Sequence, residues 1–294
     1  MYENLSECPL CNDSRISNFI ICKDYTVSGE SFAIVECKNC NFRFTSPRPT
    51  IENIEKYYES EDYISHTNSN KRLINSIYRI VRNYTLFEKQ SIITKLKPEK
   101  GNLLDYGCGT GNFLIYCKKQ NWKTYGIESN TKAKKIAISQ NLIIFNNIDE
   151  LTKEVKEKFD IITLWHVLEH LYNPEETIRN LKKILNKEGY FLIAIPNNES
   201  YDATWYKEYW AAYDVPRHLS HFNQKTFKDF IVKSKLKIDR VIPMKLDAYY
   251  VSLLSEKYKT SSNNYLKAML LGKKSNEIAK EKNNYSSLIY VVKK

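Results

Sequence analysis

The run Leu103-Leu104-Asp105-Tyr106-Gly107-Cys108-Gly109-Thr110-Gly111-Asn112-Phe113-Leu114 constrains this chain more than any other stretch. An apolar segment leads into an acid and three alternate glycines, and an apolar-periodic segment follows, the order of a strand, a tight loop and a helix. Without a Cβ, glycine takes positive φ and lets a ligand reach the backbone, while the helix N-terminus offers unpaired N–H groups to a carboxylate or phosphate. Spacing narrows the ligand: a dinucleotide fingerprint needs G-x-G-x-x-G, and Asn112 stands where its last glycine belongs. The pattern present is D-x-G-x-G-x-G. A helical segment to Asn121, a strand over Lys123 to Ile127 and then Glu128 follow, and an acid at that strand end can bind both ribose hydroxyls. The glycines alone would fit an ordinary turn; the strand before them and the acid after them point to a cofactor.

At these residues the sequence resembles the class I S-adenosylmethionine-dependent methyltransferases. The resemblance implies an α/β fold, a seven-stranded doubly wound Rossmann-like sheet, with S-adenosylmethionine held by Asp105, Gly107, Cys108, Gly109, Gly111 and Glu128. Further strands are expected over Leu142 to Phe145, Phe159 to Leu164, Tyr190 to Ile195, Lys237 to Ile242 and Ser287 to Val292. The last two are expected to pair as an antiparallel hairpin, with Tyr249 to Glu281 a helical insertion between them that need not affect the chemistry. Asn146, Asn147 and Ile148 occupy the turn where adenine lies in such sheets, with Asn147 or Asp149 placed to read its amine.

Cys8-Pro9-Leu10-Cys11 and Cys37-Lys38-Asn39-Cys40 are two C-x2-C knuckles. Each supplies two sulfurs from one tight turn, which suits tetrahedral zinc, and four cysteines close the shell, so this metal folds its segment and does not catalyse. Met1 to Asn4 carries neither the basic nor the apolar region of a signal peptide, so a cytoplasmic, reduced chain is expected and zinc is favoured over disulfides. Cys22 is left over, a small apolar packer. The domains read as a zinc ribbon over 1–47, a helical cap or linker over 48–99, and the methyltransferase domain over 100–294. Within the cap, Ile51 to Tyr58 and Leu73 to Leu96 are helical in period, and Tyr63 and His66 lie in a polar join that can face substrate.

After the fourth strand comes Trp165-His166-Val167-Leu168-Glu169-His170, literally the H-x-x-E-H of inverzincin peptidases. Its place directly after a strand of a cofactor sheet argues against proteolysis. The run resembles the segment of methyltransferases that act on small molecules and carbohydrates. That implies Leu164, Trp165 and His166 beside the methionine part of the cofactor, and His170 as a general base or holder of a substrate hydroxyl. A related quinone-modifying group has a similar acid and histidine cluster thought to hold a divalent metal, which makes Glu169 and His170 a second metal candidate. Beyond Pro196, an aromatic segment with Trp205 and Trp210 leads to Asp214-Val215-Pro216-Arg217-His218-Leu219-Ser220-His221-Phe222, which resembles the matching segment of these enzymes. It is the expected substrate-selecting region: Trp205, Trp210, Arg217 and His221 for binding, His218 as a further candidate base. A packed cover on the sheet would use the same aromatics.

The formal charge of +11 could suit anionic partners, but lysines scattered among Asn, Ile and Tyr read as a solvated surface rather than a nucleic-acid stripe. No run of eighteen apolar residues occurs. The sequence therefore predicts methyl transfer to a small molecule or carbohydrate, in surface polysaccharide or secondary metabolite assembly, with His170, His166 or His218 as base. The alternatives are an RNA methyltransferase, for which the Leu-Trp-His strand end lacks the Asn/Asp-Pro-Pro-Tyr that base amino groups require, and a ribbon-bearing adaptor without activity.

Overall fold

The computed structural model describes residues 1–58, 72–262 and 264–294; Tyr63 and His66 lie outside them. Five parallel strands form the centre of the main sheet: β6 (Asn102–Tyr106), β7 (Lys123–Ile127), β8 (Ile143–Phe145), β9 (Phe159–Trp165) and β10 (Leu185–Pro196). Two antiparallel strands, β12 (Lys237–Pro243) and β13 (Ser287–Lys293), complete it in the order β12-β13-β10-β9-β6-β7-β8. This is the expected seven-stranded sheet with its expected terminal hairpin.

Both faces of the central strands are apolar, as a sheet covered on both sides requires. Leu104, Ile162, Leu164 and Ile193 pack into one cluster, and their chain neighbours Leu103, Ile161, Leu192 and Ala194 pack into the other. The alternation is the period of two of a strand. Helices cover the faces: α1 (Arg72–Leu96), α2 (Asn112–Lys118), α3 (Thr131–Ser139), α4 (Ile148–Glu154) and α5 (Pro174–Ile184). In α5, proline opens the first turn, Glu175 and Glu176 stand there, and Lys182 and Lys183 close the last, each matched to the helix dipole.

The insertion forms two helices, α8 (Asp247–Thr260) and α9 (Tyr265–Lys282). Ile51 to Tyr58 makes turns and a single 3-10 turn over Glu55–Tyr58 instead of the expected helix. Among the described residues, no helix is long and apolar enough to cross a membrane.

A second sheet carries the cysteine knuckles. Strands β2 (Ile16–Lys23), β3 (Ser31–Cys37) and β4 (Arg43–Thr45) run antiparallel, and the fourth strand, β11 (Ser220–His221), comes from the far end of the chain. The ribbon is thus completed by the segment expected to select substrate. Its Cys8, Leu10, Val35, Phe42 and Phe44 share one apolar cluster with Leu104, Ile162 and Phe222.

Candidate active site

The glycine loop joins β6 to α2, and Gly107, Gly109 and Gly111 all have positive φ (74°, 55° and 80°). Their roles differ. A Cβ on Gly107 would lie 2.6 Å from Val167, and one on Gly111 2.3 Å from Leu142, whereas one on Gly109 would meet nothing within 4 Å. Gly107 and Gly111 are packed against neighbours; Gly109 turns its backbone to open space. Glu128 at the end of β7 accepts hydrogen bonds from the Gly109 and Asn130 N–H groups, both 2.7 Å, which fixes its carboxylate beside that open face. Asp105 is buried and accepts from the Thr163 hydroxyl at 2.6 Å. Burial pushes its carboxyl up to about 7, against that hydrogen bond and the positive Lys89.

In the order β9-β6-β7-β8 the carboxyl ends bring Trp165, Asp105, Glu128 and Asn147 side by side. Strand spacing makes this row about 14 Å long. The row fits an elongated ligand with a ribose at Glu128. At its far end Asn147 caps α4 by accepting from the Glu150 N–H, with Ile148 beside it half-buried. At the other end Trp165 meets Phe113 edge to face and carries the Lys89 ammonium over its ring, 4.4 Å from the centroid.

Beyond Trp165 the chain turns through His166, whose φ is 56°. Its Nδ1 lies 3.2 Å from Glu169 Oε1 and its Nε2 3.3 Å from Asp247 Oδ2 at the start of α8. Burial opposes a charge on this ring, but the hydrogen bonds to Asp247 and Glu169 outweigh it and raise its pKa to about 9. At neutral pH His166 is an imidazolium between two carboxylates. His170 is the opposite case: burial, then the nearby His218, lower it to about 4. Its Nδ1 stands 3.0 Å from both the Arg217 carbonyl and the Tyr58 hydroxyl. A carbonyl only accepts, so Nδ1 carries the hydrogen and Nε2 is the bare nitrogen. His218 packs edge-on to His170, ring centroids 4.5 Å apart, with its Nδ1 2.9 Å from the Ala212 carbonyl. Glu169, His170 and His218 lie close enough to share one ion, which adds His218 to the expected acid and histidine pair.

The four knuckle sulfurs form a separate cluster, with Cys8 Sγ 3.6 Å from Cys40 Sγ and Cys11 Sγ 3.5 Å from Cys37 Sγ. A disulfide needs about 2.05 Å. A tetrahedron of sulfurs with bonds of about 2.3 Å has edges just under about 4 Å, so the cluster fits structural zinc.

A family model described as a methyltransferase domain matches residues 75–238, more than half of the chain. The chain belongs to that family. Among solved structures, the fold is similar to a SAM-dependent methyltransferase from Archaeoglobus fulgidus (TM-score 0.50, 18% identity, 77% of this chain and 100% of that one). It is also similar to an O-methyltransferase from a trans-AT PKS multienzyme of Brevibacillus brevis in complex with S-adenosyl-L-homocysteine (0.51, 19%, 76% and 77%). A curated relative, the uncharacterized protein MJ1123 of Methanocaldococcus jannaschii, is 30% identical over 129 residues, 42% of this chain; the match spans 61% of that relative's length. The chain carries a methyltransferase domain, its fold is the one S-adenosylmethionine-dependent methyltransferases share, and its open glycine face and Glu128 fit that cofactor.

The structure places the other residues expected in the site as follows. Leu164 is fully buried within the sheet. Trp210 is buried, its indole N–H donating to Asp202 at 2.8 Å. His221 is buried with Nε2 3.0 Å from the Thr45 hydroxyl. Arg217, 1% exposed, grips Asp214 through Nε and Nη2 (3.0 and 2.6 Å), Asp24 through Nη2 (3.0 Å) and the Tyr57 carbonyl through Nη1 (2.9 Å). It ties the segment before β11 to the ribbon and the cap. Trp205 is 44% exposed, stacked on Tyr201 beneath Lys274. Asp247 and Lys89 were missed. Asp247 precedes an insertion read as remote from the chemistry, and Lys89 looks like one more lysine on a basic helix; neither belongs to a local motif.

Proposed function

We propose that the enzyme methylates a hydroxyl of a small molecule or carbohydrate. The observation that supports this reading most is the Asp247–His166–Glu169 set, a proton-handling group directly after Trp165. When bound, S-adenosylmethionine supplies an electrophilic methyl on a sulfonium sulfur. Glu128 would hold the ribose hydroxyls, the Gly109 backbone would face the nucleoside, and Asn147 and Ile148 would hold the adenine. These contacts and Trp165 hold the reactive end in line and exclude water, which is most of what such a transfer needs.

With that methyl supplied, a hydroxyl acceptor would have to give up its proton. The proton goes to neutral His166, the strongest base of the set at a pKa of about 9, while Asp247, whose pKa is lowered against burial by its hydrogen bond to that ring, orients it. His170 is a weak base at a pKa near 4 and serves to position the acceptor with His218. A cleft of about 280 Å³ lined by Lys89, Met244 and Asp247 leads to this set and matches a small acceptor. The ribbon supports the acceptor wall: Thr45 of β4 donates its hydroxyl to the His218 carbonyl at 2.7 Å. That role as a fixed wall favours a small acceptor over RNA.

A labelled-methyl transfer screen across nucleotide sugars, glycolipids, quinone precursors and RNA tests the reading. Transfer to a hydroxyl of one of the first three is expected, with His166→Ala and Asp247→Asn lowering turnover far more than cofactor affinity. Transfer to RNA alone would overturn it.

A further inference from the structure

Lys89 stands on α1, and its ammonium rests over the Trp165 indole without a hydrogen bond or ion pair to any described residue. Asp105 and Asp247 attract it from beyond ion-pair contact, and burial lowers its pKa. Trp165 leaves a second donor in the same corner, since its indole N–H is buried with no acceptor among the described residues. A cation and an N–H donor, both without an acceptor, are what an anion would satisfy, and leaving buried donors unpaired is unfavourable.

Strand order says which anion. The ribose acid Glu128 ends β7, the adenine turn ends β8, and Lys89 and Trp165 lie on the other side, over β6 and β9. A ligand laid along that row with its nucleoside over β7 and β8 puts its amino-acid end in this corner. S-adenosylmethionine has one carboxylate, and it is at that end. We propose that Lys89, together with the Trp165 indole N–H, is the subsite for the cofactor's amino-acid carboxylate. The inference rests on the methyl-donor assignment above and adds to it a residue outside the glycine loop. The carboxylate also neutralises a lysine that would otherwise repel the sulfonium from the Trp165 face.

Calorimetric titration with S-adenosylmethionine and with its decarboxylated analogue tests this, because the two differ only in the group at issue. The wild-type enzyme should prefer the carboxylate form. Lys89→Met should weaken S-adenosylmethionine roughly ten- to hundredfold, the range for a lost charge-assisted hydrogen bond, while leaving the analogue within about twofold. Lys89→Arg should keep most of the preference. Unchanged S-adenosylmethionine affinity in Lys89→Met, an equal loss for both ligands, or no preference in the wild type would each overturn the proposal. A wild-type enzyme that binds neither compound would instead remove the methyl-donor assignment, and this subsite with it.

Discussion

Replacing Gly109 and Gly111 separately by alanine makes the same chemical change at two positive-φ sites of one loop, and the structure requires different outcomes. Both substitutions impose left-handed strain of about 1–2 kcal/mol on a residue with a Cβ. At Gly111 the new methyl would sit 2.3 Å from Leu142 Cδ1 and 3.3 Å from Ala137 Cβ, and both neighbours are buried. Overpacking of that kind adds about 1–3 kcal/mol. Gly111→Ala should therefore lose about 2–5 kcal/mol of stability, and Gly109→Ala only the strain, about 1–2 kcal/mol. Cofactor affinity should single out Gly109. Its methyl meets no protein atom within 4 Å and projects into open space where the proposed nucleoside would lie. A clash of about 1–3 kcal/mol there weakens binding roughly 5- to 150-fold. Urea unfolding and calorimetric titration with S-adenosylhomocysteine read the two quantities independently. If Gly109→Ala binds as tightly as wild type, the ligand does not approach that backbone. Equal stability losses at the two sites would refute the distinction between a packed and an open glycine.

Arg217→Met should destabilise the chain by about 3–5 kcal/mol in urea, because it leaves Asp24 charged and fully buried; Arg217→Met with Asp24→Asn should recover part of the loss, and no recovery would mean the pair is not the cause. Metal analysis should find about one zinc per chain. Because ribbon and sheet share one apolar cluster, chelation should lower the single thermal transition of the whole chain, and a separate low-temperature ribbon transition with the main one unmoved would contradict this. An NMR titration should show His166 losing its proton near pH 9 and His170 gaining one near pH 4. Since the folded pKa of His166 is raised above the ordinary 6.5, its stabilising contribution is complete below about 6.5 and lost as pH rises through about 9. His166→Gln should unfold without that decline, and a decline equal to wild type would reject the assignment.

Much of this enzyme was legible in the chain because the features that carry it are local. Three alternate glycines adopt positive φ within one turn, each knuckle brings two sulfurs together across a few residues, and strand–helix alternation dictates a doubly wound sheet whatever the loops do. The sequence by itself thus determined the strand and glycine loop that Glu128 faces and that four cysteines would meet. It also marked Glu169 and His170 as neighbours, being adjacent in the chain. Tertiary structure alone decided what the remaining residues do. Arg217 meets Asp24 across 193 positions and His221 meets Thr45 across 176, and no periodicity encodes such pairs. His166 and His170, four residues apart, are driven to opposite protonation states by partners on other elements. Asp247 charges one, while burial beside His218 neutralises the other. A side chain's charge and contacts are set by whatever the fold packs against it, and for this histidine cluster those neighbours come from the cap, the ribbon and the insertion, each distant in sequence from the glycine loop.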